Sequence, residues 1–360
     1  VNVSEIDLTT VIPAVSTTEA GIAGHFRWGP VNKATLISSE DALVSQFQKP
    51  DNNTATDFFT AANFLAYGNA LFVVRAENST MANAHGNSAN NVATRIDNDD
   101  DYDNNHASGT SSVGNWVAKY PGALGNSIKV SIAPSATAFS GTLAGTYTIT
   151  SNTTSIAFSA NQASVLTVGD TLLVGPTLGA KQKKRISAVA ATGLTATLDS
   201  RYTGDTVTAN TAIKREWEYA ANVDKAPGTS AHATKAGAAT DEAHIAIIDE
   251  DGLWTGTKGQ VMEVFSNVSL ASDGKTETGA SSYYVNVINN QSRFIWWAAH
   301  ANIGTNTGSS VIGGTSYTGS TTPLTVSLVN GSDGAAPSVS YTHLRAHETS
   351  LHLVCRLLLE

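Results

Sequence analysis

Phe58, Ala61, Ala62 and Leu65 recur at helical spacing and predict an amphipathic helix inside the stretch Asp57–Arg75. Thr54 or Thr56 is placed to cap its start, and Asp57 falls in the first turn, where a negative charge suits the helix dipole. Gly68 follows Tyr67 and is read as a left-handed stop. Leu71–Val74 is short and β-branched, which predicts a strand buried on both faces. Upstream, Thr18–Trp28 reads as a strand closed by the turn Gly29–Pro30, and Ala34–Ile37 as a second short strand. Ser39 is a cap for a helix over Glu40–Phe47, with Pro50 just beyond it. Strand, strand, helix, helix, strand makes a compact α/β layer.

Before that layer runs an alternating arm, Val1–Val15, in which Ile6 and Leu8 share an apolar face and Val3 opens the alternation. Too short to form a sheet alone, it must pair with a sheet edge in its own chain or in another. After Arg75 the pattern fades. Glu77–Val113 is rich in Asn, Asp, Ser and Gly and shows little to bury, which predicts a solvated loop. Its run Asp97–Asp103 has the alternate carboxylates of a calcium loop. However, Tyr102 stands where such a loop needs glycine, and Ser108 where it needs a bidentate glutamate. From Gly141 to Ile213 short alternating strands predict a small β-barrel or sandwich, with Lys181, Lys183, Lys184 and Arg185 at a hairpin tip. Ala243–Ile248 reads as a buried strand, Asp249–Gly252 as a turn and Thr257–Ser269 as its return strand. Clustered carboxylates after a strand also admit an acid/base pair or half a metal site, with His244 on the strand itself. Ser281–Ile288, Phe294–Trp297 and Leu324–Leu328 complete the strand candidates. The fold class is therefore α/β plus all-β, multidomain, with a β-rich insertion.

Composition narrows the function. The 360 residues carry 21 Lys+Arg against 30 Asp+Glu, a net charge of −9, which gives no general reason to bind nucleic acid or an anionic membrane. No apolar run is long enough for membrane insertion. A single cysteine, Cys355, excludes an internal disulfide. The chain shows no nucleophile elbow, phosphate loop or complete metal-ligand set, so neither an enzyme nor a cofactor is expected. It opens on Val1 without methionine or signal peptide, as a fragment would. Ser338–Glu360 breaks abruptly with the preceding composition and resembles the translation of a sequencing-library adapter. The His343/His347 spacing within it is accordingly not read as a metal site.

Several stretches carry a family resemblance. Gly24–Pro30, with Trp28, Gly29 and Pro30, is followed by Asp57–Phe59 with Phe58. Then come Asn63–Leu65 with Asn63 and Phe64, Tyr67–Asn69 with Tyr67 and Gly68, and Val73–Ala76 with Arg75. In order and spacing these resemble the N-terminal part of contractile-phage tail sheath proteins. Tyr120–Asn126 and Leu328–Gly334 are similar to later stretches of the same family. The resemblance implies a tail-sheath-like architecture: an arm 1–15, the first part of an α/β core domain 16–76, and a β-rich middle domain 77–320 holding the insertion at about 140–213. Residues 321–337 then return toward the core and 338–360 are the adapter-like tail. It implies a virion structural protein, assembled in the bacterial host cytoplasm. That protein polymerises helically around the tail tube and contracts to drive the tube through the host envelope for genome ejection. Its implied partners are itself, the tail tube protein, and the baseplate and tail terminator proteins. Val3, Ile6 and Leu8 would pair with a neighbouring subunit. The other reading is a β-rich surface or secreted module that binds glycans, for which Asn78 and Asn152 are glycosylation-type sites.

Overall fold

The computed structural model describes residues 19–76, 78–87, 89, 93–176, 181–210 and 213–334. The arm residues Val3, Ile6 and Leu8 and the segment Ser338–Glu360 lie outside the described residues. The chain divides into two compact units. One holds the residues up to Met81 with Asp97–Asp99 and the stretch from Asp333; the other holds Ala82–Ile96 and Asp100–Ser332. The structure is mixed, with β-structure predominating.

The first unit is built on a three-stranded sheet. Strand β1 (Glu19–Gly24) runs parallel to β3 (Ala70–Arg75), which pairs antiparallel with β2 (Thr35–Ile37). Helices α1 (Glu40–Phe47) and α2 (Ala55–Leu65) cover one face. The core joins Ile22, Ile37, Leu71 and Val73 of the sheet to Leu43, Phe47, Phe58 and Ala61 of the helices, with Phe26 from the loop after β1. Ser39 caps α1 as its sequence predicts, accepting from the Ala42 N–H at 3.2 Å.

Three expectations for this unit need correction. Strand β3 is buried on one face only: Leu71 and Val73 are inside, whereas Phe72 is 41% exposed. Thr54 stands at the α2 N-cap but makes no capping bond, because its hydroxyl donates to Asp51 instead. Gly68 is absent from the positive-φ glycines. What requires glycine there is space, since a Cβ would stand 2.7 Å from the Phe64 ring.

In the second unit the residues read as a loop with little to bury in fact bury Met81's neighbours Ala82 and Ala84, with Ile96, Tyr102 and Val113. Asp99–Asp101 (α3) is one helical turn, continued by a π-type turn over Tyr102–His106. Tyr102 stacks on Trp296 at 4.2 Å, donates to the Trp297 carbonyl at 2.9 Å and accepts from Asn289. One buried aromatic thus anchors the acidic run, and its polar surroundings hid it from the hydrophobic pattern. Strand β4 (Trp116–Ala118) follows, and then β5 (Ile128–Ala133) and the short helix α4 (Ala136–Phe139).

The insertion is a single curled sheet of eight strands. They are β6 (Ser140–Thr142), β7 (Tyr147–Ile149), β8 (Thr153–Phe158), β9 (Thr171–Val174), β10 (Gln182–Val189), β11 (Thr195–Tyr202), β12 (Val207–Asn210) and β13 (Lys214–Glu216). Their spatial order is β12-β7-β8-β11-β10-β9-β13-β6. One face folds on itself around Tyr147, Ile156, Leu172, Ile186, Leu198 and Tyr202. Lys183, Lys184 and Arg185 lie within β10 and not at a hairpin tip. Lys183 pairs with Glu216 and Arg185 with Glu218, and Lys184 donates to the Arg201 carbonyl.

Helix α5 (Ala231–Lys235) leads to β14 (Glu242–Asp249) and β15 (Gln260–Ser269). These join β5 and β19 (Leu324–Ser327) in an antiparallel sheet ordered β15-β14-β5-β19. Every residue of β14 is buried, the signature of a strand packed on both faces. Ser281–Ile288, expected as a strand, instead enters helix α6 (Tyr284–Gln291). Its buried Tyr284, Val285 and Ile288 lie on one helical face, and packing overrides the β-branched composition. Strand β16 (Ile295–Trp297) pairs with β4, and a small β17 (Gly304–Thr305) and β18 (Thr318–Gly319) ribbon completes the unit.

The carboxylates after β14 settle into a turn. Asp249 accepts from the Ser127 hydroxyl at 2.8 Å, the Gly252 and Trp254 N–H groups at 3.0 Å each, and the Thr255 N–H and hydroxyl at 2.8 and 2.9 Å. Burial pushes its pKa up, but the bonds from Thr255, Ser127 and Trp254 outweigh that and hold it below the ordinary 3.8. Replacing Asp249 with Ala should cost about 3 kcal/mol in urea unfolding, because the loop donors lose their shared acceptor. The ionised carboxylate stabilises the fold above its ordinary value of 3.8, and that contribution falls away as pH drops through the lowered folded value. Asp249→Asn should therefore flatten the acid side of the stability–pH curve.

Candidate functional site

The family-like residues of the first unit assemble around the loop that follows β1. Arg75, at the end of β3, is 1% exposed and donates from Nε to the Phe26 carbonyl at 2.8 Å. Its Nη1 reaches the Gly29 carbonyl at 3.0 Å and its Nη2 the Arg27 carbonyl at 3.5 Å. A planar fork fits three carbonyls on one turn, which a lysine ammonium does not. Burial pulls the Arg75 pKa down to about 10, with Asp333 and Asp97 opposing it, so the group stays charged at neutral pH. The Asn32 N–H returns to the Arg75 carbonyl and the Val31 N–H to that of Asp97, closing the loop against the strand end.

The second clasp is Asp57. Its carboxylate accepts from the His25 N–H at 2.7 Å and lies 3.4 Å from His25 Nδ1. Burial raises its pKa, but the bonds from His25 and its charge bring the value below the ordinary one. A Cβ at Gly24 would stand 2.9 Å from Asp57, so glycine is what lets α2 approach β1. Gly29 adopts a φ of +102°, and a Cβ there would also meet the Phe47 ring at 2.7 Å. Trp28 and Pro30 are buried beside it. Phe58 is in the core, and Phe64 packs partly against it. The structure therefore brings Trp28, Gly29, Pro30, Phe58 and Arg75 together as a folding motif.

Asn63 and Tyr67 are not part of that cluster. Both are exposed, Tyr67 at 97%. Phe59, one turn before Asn63, is 55% exposed. Helix α2 has one charged residue, Asp57, and it is turned inward, so its outer face is uncharged and carries aromatics. The sheet face away from the helices carries Phe72 with Leu36, 57% exposed, and Gly21 directly beside it on the flanking strands. Exposed apolar clusters of this kind mark association surfaces. Sequence reasoning missed Leu36 and Phe72 because it assigned both faces of β3 to the interior. The sequence carries no signal for their exposure: Leu36–Ile37 and Ala70–Val74 are unbroken apolar runs, and the alternation of exposed and buried positions shows only in the fold.

The two later family-like stretches also meet, in the second unit. Asn126 accepts from the Gly331 N–H at 2.7 Å and donates to the Gly331 carbonyl at 3.0 Å. A Cβ at Gly331 would stand 2.5 Å from the Gly122 carbonyl, which fixes glycine there. His244, the histidine nearest the acidic turn, is engaged on both ring nitrogens: Nδ1 accepts from the Asn267 N–H at 3.0 Å, and Nε2 faces the Lys225 carbonyl at 2.8 Å. Burial holds its pKa below the ordinary value. It stacks against Trp217 and is part of the packing. Among the described residues, no group of three or more His, Cys, Asp and Glu is placed to hold a metal ion. No helix among them is long and apolar enough to cross a membrane. What the site offers chemically is backbone edges and apolar surface.

Comparison with known proteins falls on the same residues. Residues 17–76 match the family model described as tail sheath protein Gp18 domain III N-terminal region. The chain is 44% identical over 78 residues to a tail sheath protein of Vibrio phage KVP40, covering 22% of this chain and 12% of that protein. It is 32% identical over 136 residues to that of Salmonella phage ViI, covering 37% and 20%. It is 41% identical over 91 residues to that of Enterobacteria phage T4, covering 24% and 14%. The aligned stretches thus span no more than a fifth of these relatives. Replacing Arg75 with Ala should destabilise the first unit by on the order of 3 kcal/mol, read as lost amide protection in β3. Arg75→Lys should recover less than half of that protection.

Proposed function

We propose, for a chain that is a tail sheath protein fragment and whose residues 17–76 match the sheath domain, that it is a structural subunit of a contractile tail sheath. Subunits stack helically around the tail tube, and contraction drives the tube through the host envelope. The observation that supports this most is the outward surface of the matched domain. Its sheet ends in the edge strands β1 and β2 among the described residues, and the face between them exposes Leu36 and Phe72. An edge accepts a strand from another copy through main-chain hydrogen bonds, and a repeated heterologous contact that does not close gives a filament.

In this reading the arm Val1–Val15 is the donated strand, with Val3, Ile6 and Leu8 supplying its apolar contacts. The clasped loop and the α2 core keep the receiving sheet rigid, so neighbouring copies move as bodies between two packings. The tail tube, baseplate and tail terminator proteins are the remaining partners, and assembly takes place in the host cytoplasm.

The test is electron microscopy of the protein expressed from its full reading frame. Tubes of regular helical pitch are expected. Phe72→Glu should abolish them while leaving the melting temperature within about 2 °C of the parent, because an exposed site carries little folding energy. Monodisperse particles under all assembly conditions, together with glycan binding, would favour the adhesion module instead.

A further inference from the structure

The curled sheet Ser140–Glu216 is joined to the rest of the second unit through two adjoining strands. β6 brings the chain in and β13 takes it out, with Ser140 opposite Glu216 and Gly141 opposite Arg215. The Trp217 N–H then donates to the Phe139 carbonyl at 2.8 Å, one step below the neck. The apolar cores on the two sides are separate. Tyr147, Ile156, Leu172, Ile186, Leu198 and Tyr202 belong to the insertion's cluster. Ala133, Ala138, Trp217, Tyr219, Ala246 and Ile248 belong to the cluster beneath it.

A buried side chain bridges them. Arg215 is fully buried. Its Nη1 lies 3.2 Å from the Asp170 carboxylate, which sits in the turn before β9 inside the insertion. Its Nη2 donates to the Thr137 carbonyl at 2.7 Å, the Ala138 carbonyl at 2.9 Å and the Thr321 carbonyl at 3.4 Å. Those three acceptors lie outside the insertion, on the incoming connection and on the segment before β19. Gly141 leaves the room: a Cβ there would stand 2.9 Å from the Thr137 carbonyl. The pairs Lys183–Glu216 and Arg185–Glu218 run beside the clasp at the solvent side of the neck. The exposed pairs contribute little, whereas losing the buried Arg215 fork leaves the buried Asp170 carboxylate and the Ala138 carbonyl without that donor.

We propose that Ser140–Glu216 is a self-supporting module held at a fixed angle by the Arg215 clasp, and that losing the clasp lets the module swing on its neck while it stays folded. The clasp is a positioning device: it ties the Asp170 turn of the module to Thr137, Ala138 and Thr321 outside it, across two separate apolar clusters. The inference concerns this chain alone and stands whether or not the protein forms a sheath.

The test uses the full chain with spin labels at Leu194→Cys on the module and Leu253→Cys on the body, both exposed positions, and with the native cysteine removed as Cys355→Ser. The parent should give one narrow distance distribution. Arg215→Gln should widen it at least twofold, and Arg215→Lys and Asp170→Asn should widen it by less. Amide protection in β7, β8 and β11 should be unchanged in all three. A distribution that stays narrow in every variant overturns the proposal. So does a loss of protection in those strands in all three variants, which would make Arg215 part of the module's own fold. If Arg215→Gln alone fails to fold, the two milder variants decide by the same criterion.

Discussion

The first unit depends on a buried guanidinium and the three carbonyls it holds. Arg75 fixes the path of Phe26–Gly29, and that path decides where Trp28 and Pro30 enter the core and where the chain turns toward β2. A buried charge is costly unless its donors are satisfied. Here satisfaction comes from main chain, so the loop cannot relax away without orphaning the charge. Asp57 adds the complementary constraint by binding the same loop at His25 from the α2 side. One cation and one anion thus set the entry and the exit of a single segment.

The second unit uses carboxylates in the same way. Asp249 gathers the turn after β14, and Asp241, fully buried, accepts from the Ser230 N–H and hydroxyl and from the Ser269 hydroxyl. Asp273 accepts from the Ser310 hydroxyl and the Val311 N–H. A chain with only 14% charged residues places several of them inside as acceptors for loop donors. This is how long Gly-, Ser- and Thr-rich connections become fixed without large apolar cores of their own. The same economy encloses Asp249, one of the clustered carboxylates after the buried strand, as the acceptor of a turn.

What the sequence disclosed follows the reach of its signals. Local signals were legible: the Ser39 cap, the α1 span, the α2 core face and the buried run of β14 all follow from residue periodicity. Signals that depend on distant partners were not. Tyr102 looked like part of a polar loop because its stacking partner, Trp296, lies far along the chain. Lys183 and Arg185 read as part of a hairpin tip because their partners Glu216 and Glu218 lie 33 residues further along the chain. Gly68 was read as a dihedral requirement, whereas the constraint is the Phe64 ring. Of the candidate site, the order of the motif was legible. The division between a folding cluster at Trp28, Phe58 and Arg75 and an outward surface at Asn63, Tyr67, Leu36 and Phe72 required the fold.

That division carries the functional account. The matched domain combines a rigidly clasped interior with exposed apolar side chains at Leu36, Phe59 and Phe72 and, among the described residues, edge strands at β1 and β2, a combination suited to repeated docking between copies. Hydrogen exchange on assembled against dissociated full-length protein tests this most directly. The account predicts that assembly raises amide protection in Glu19–Gly24 and Thr35–Ile37, the two edge strands, by at least tenfold. Unchanged protection in both edges, with new protection confined to the second unit, would contradict it.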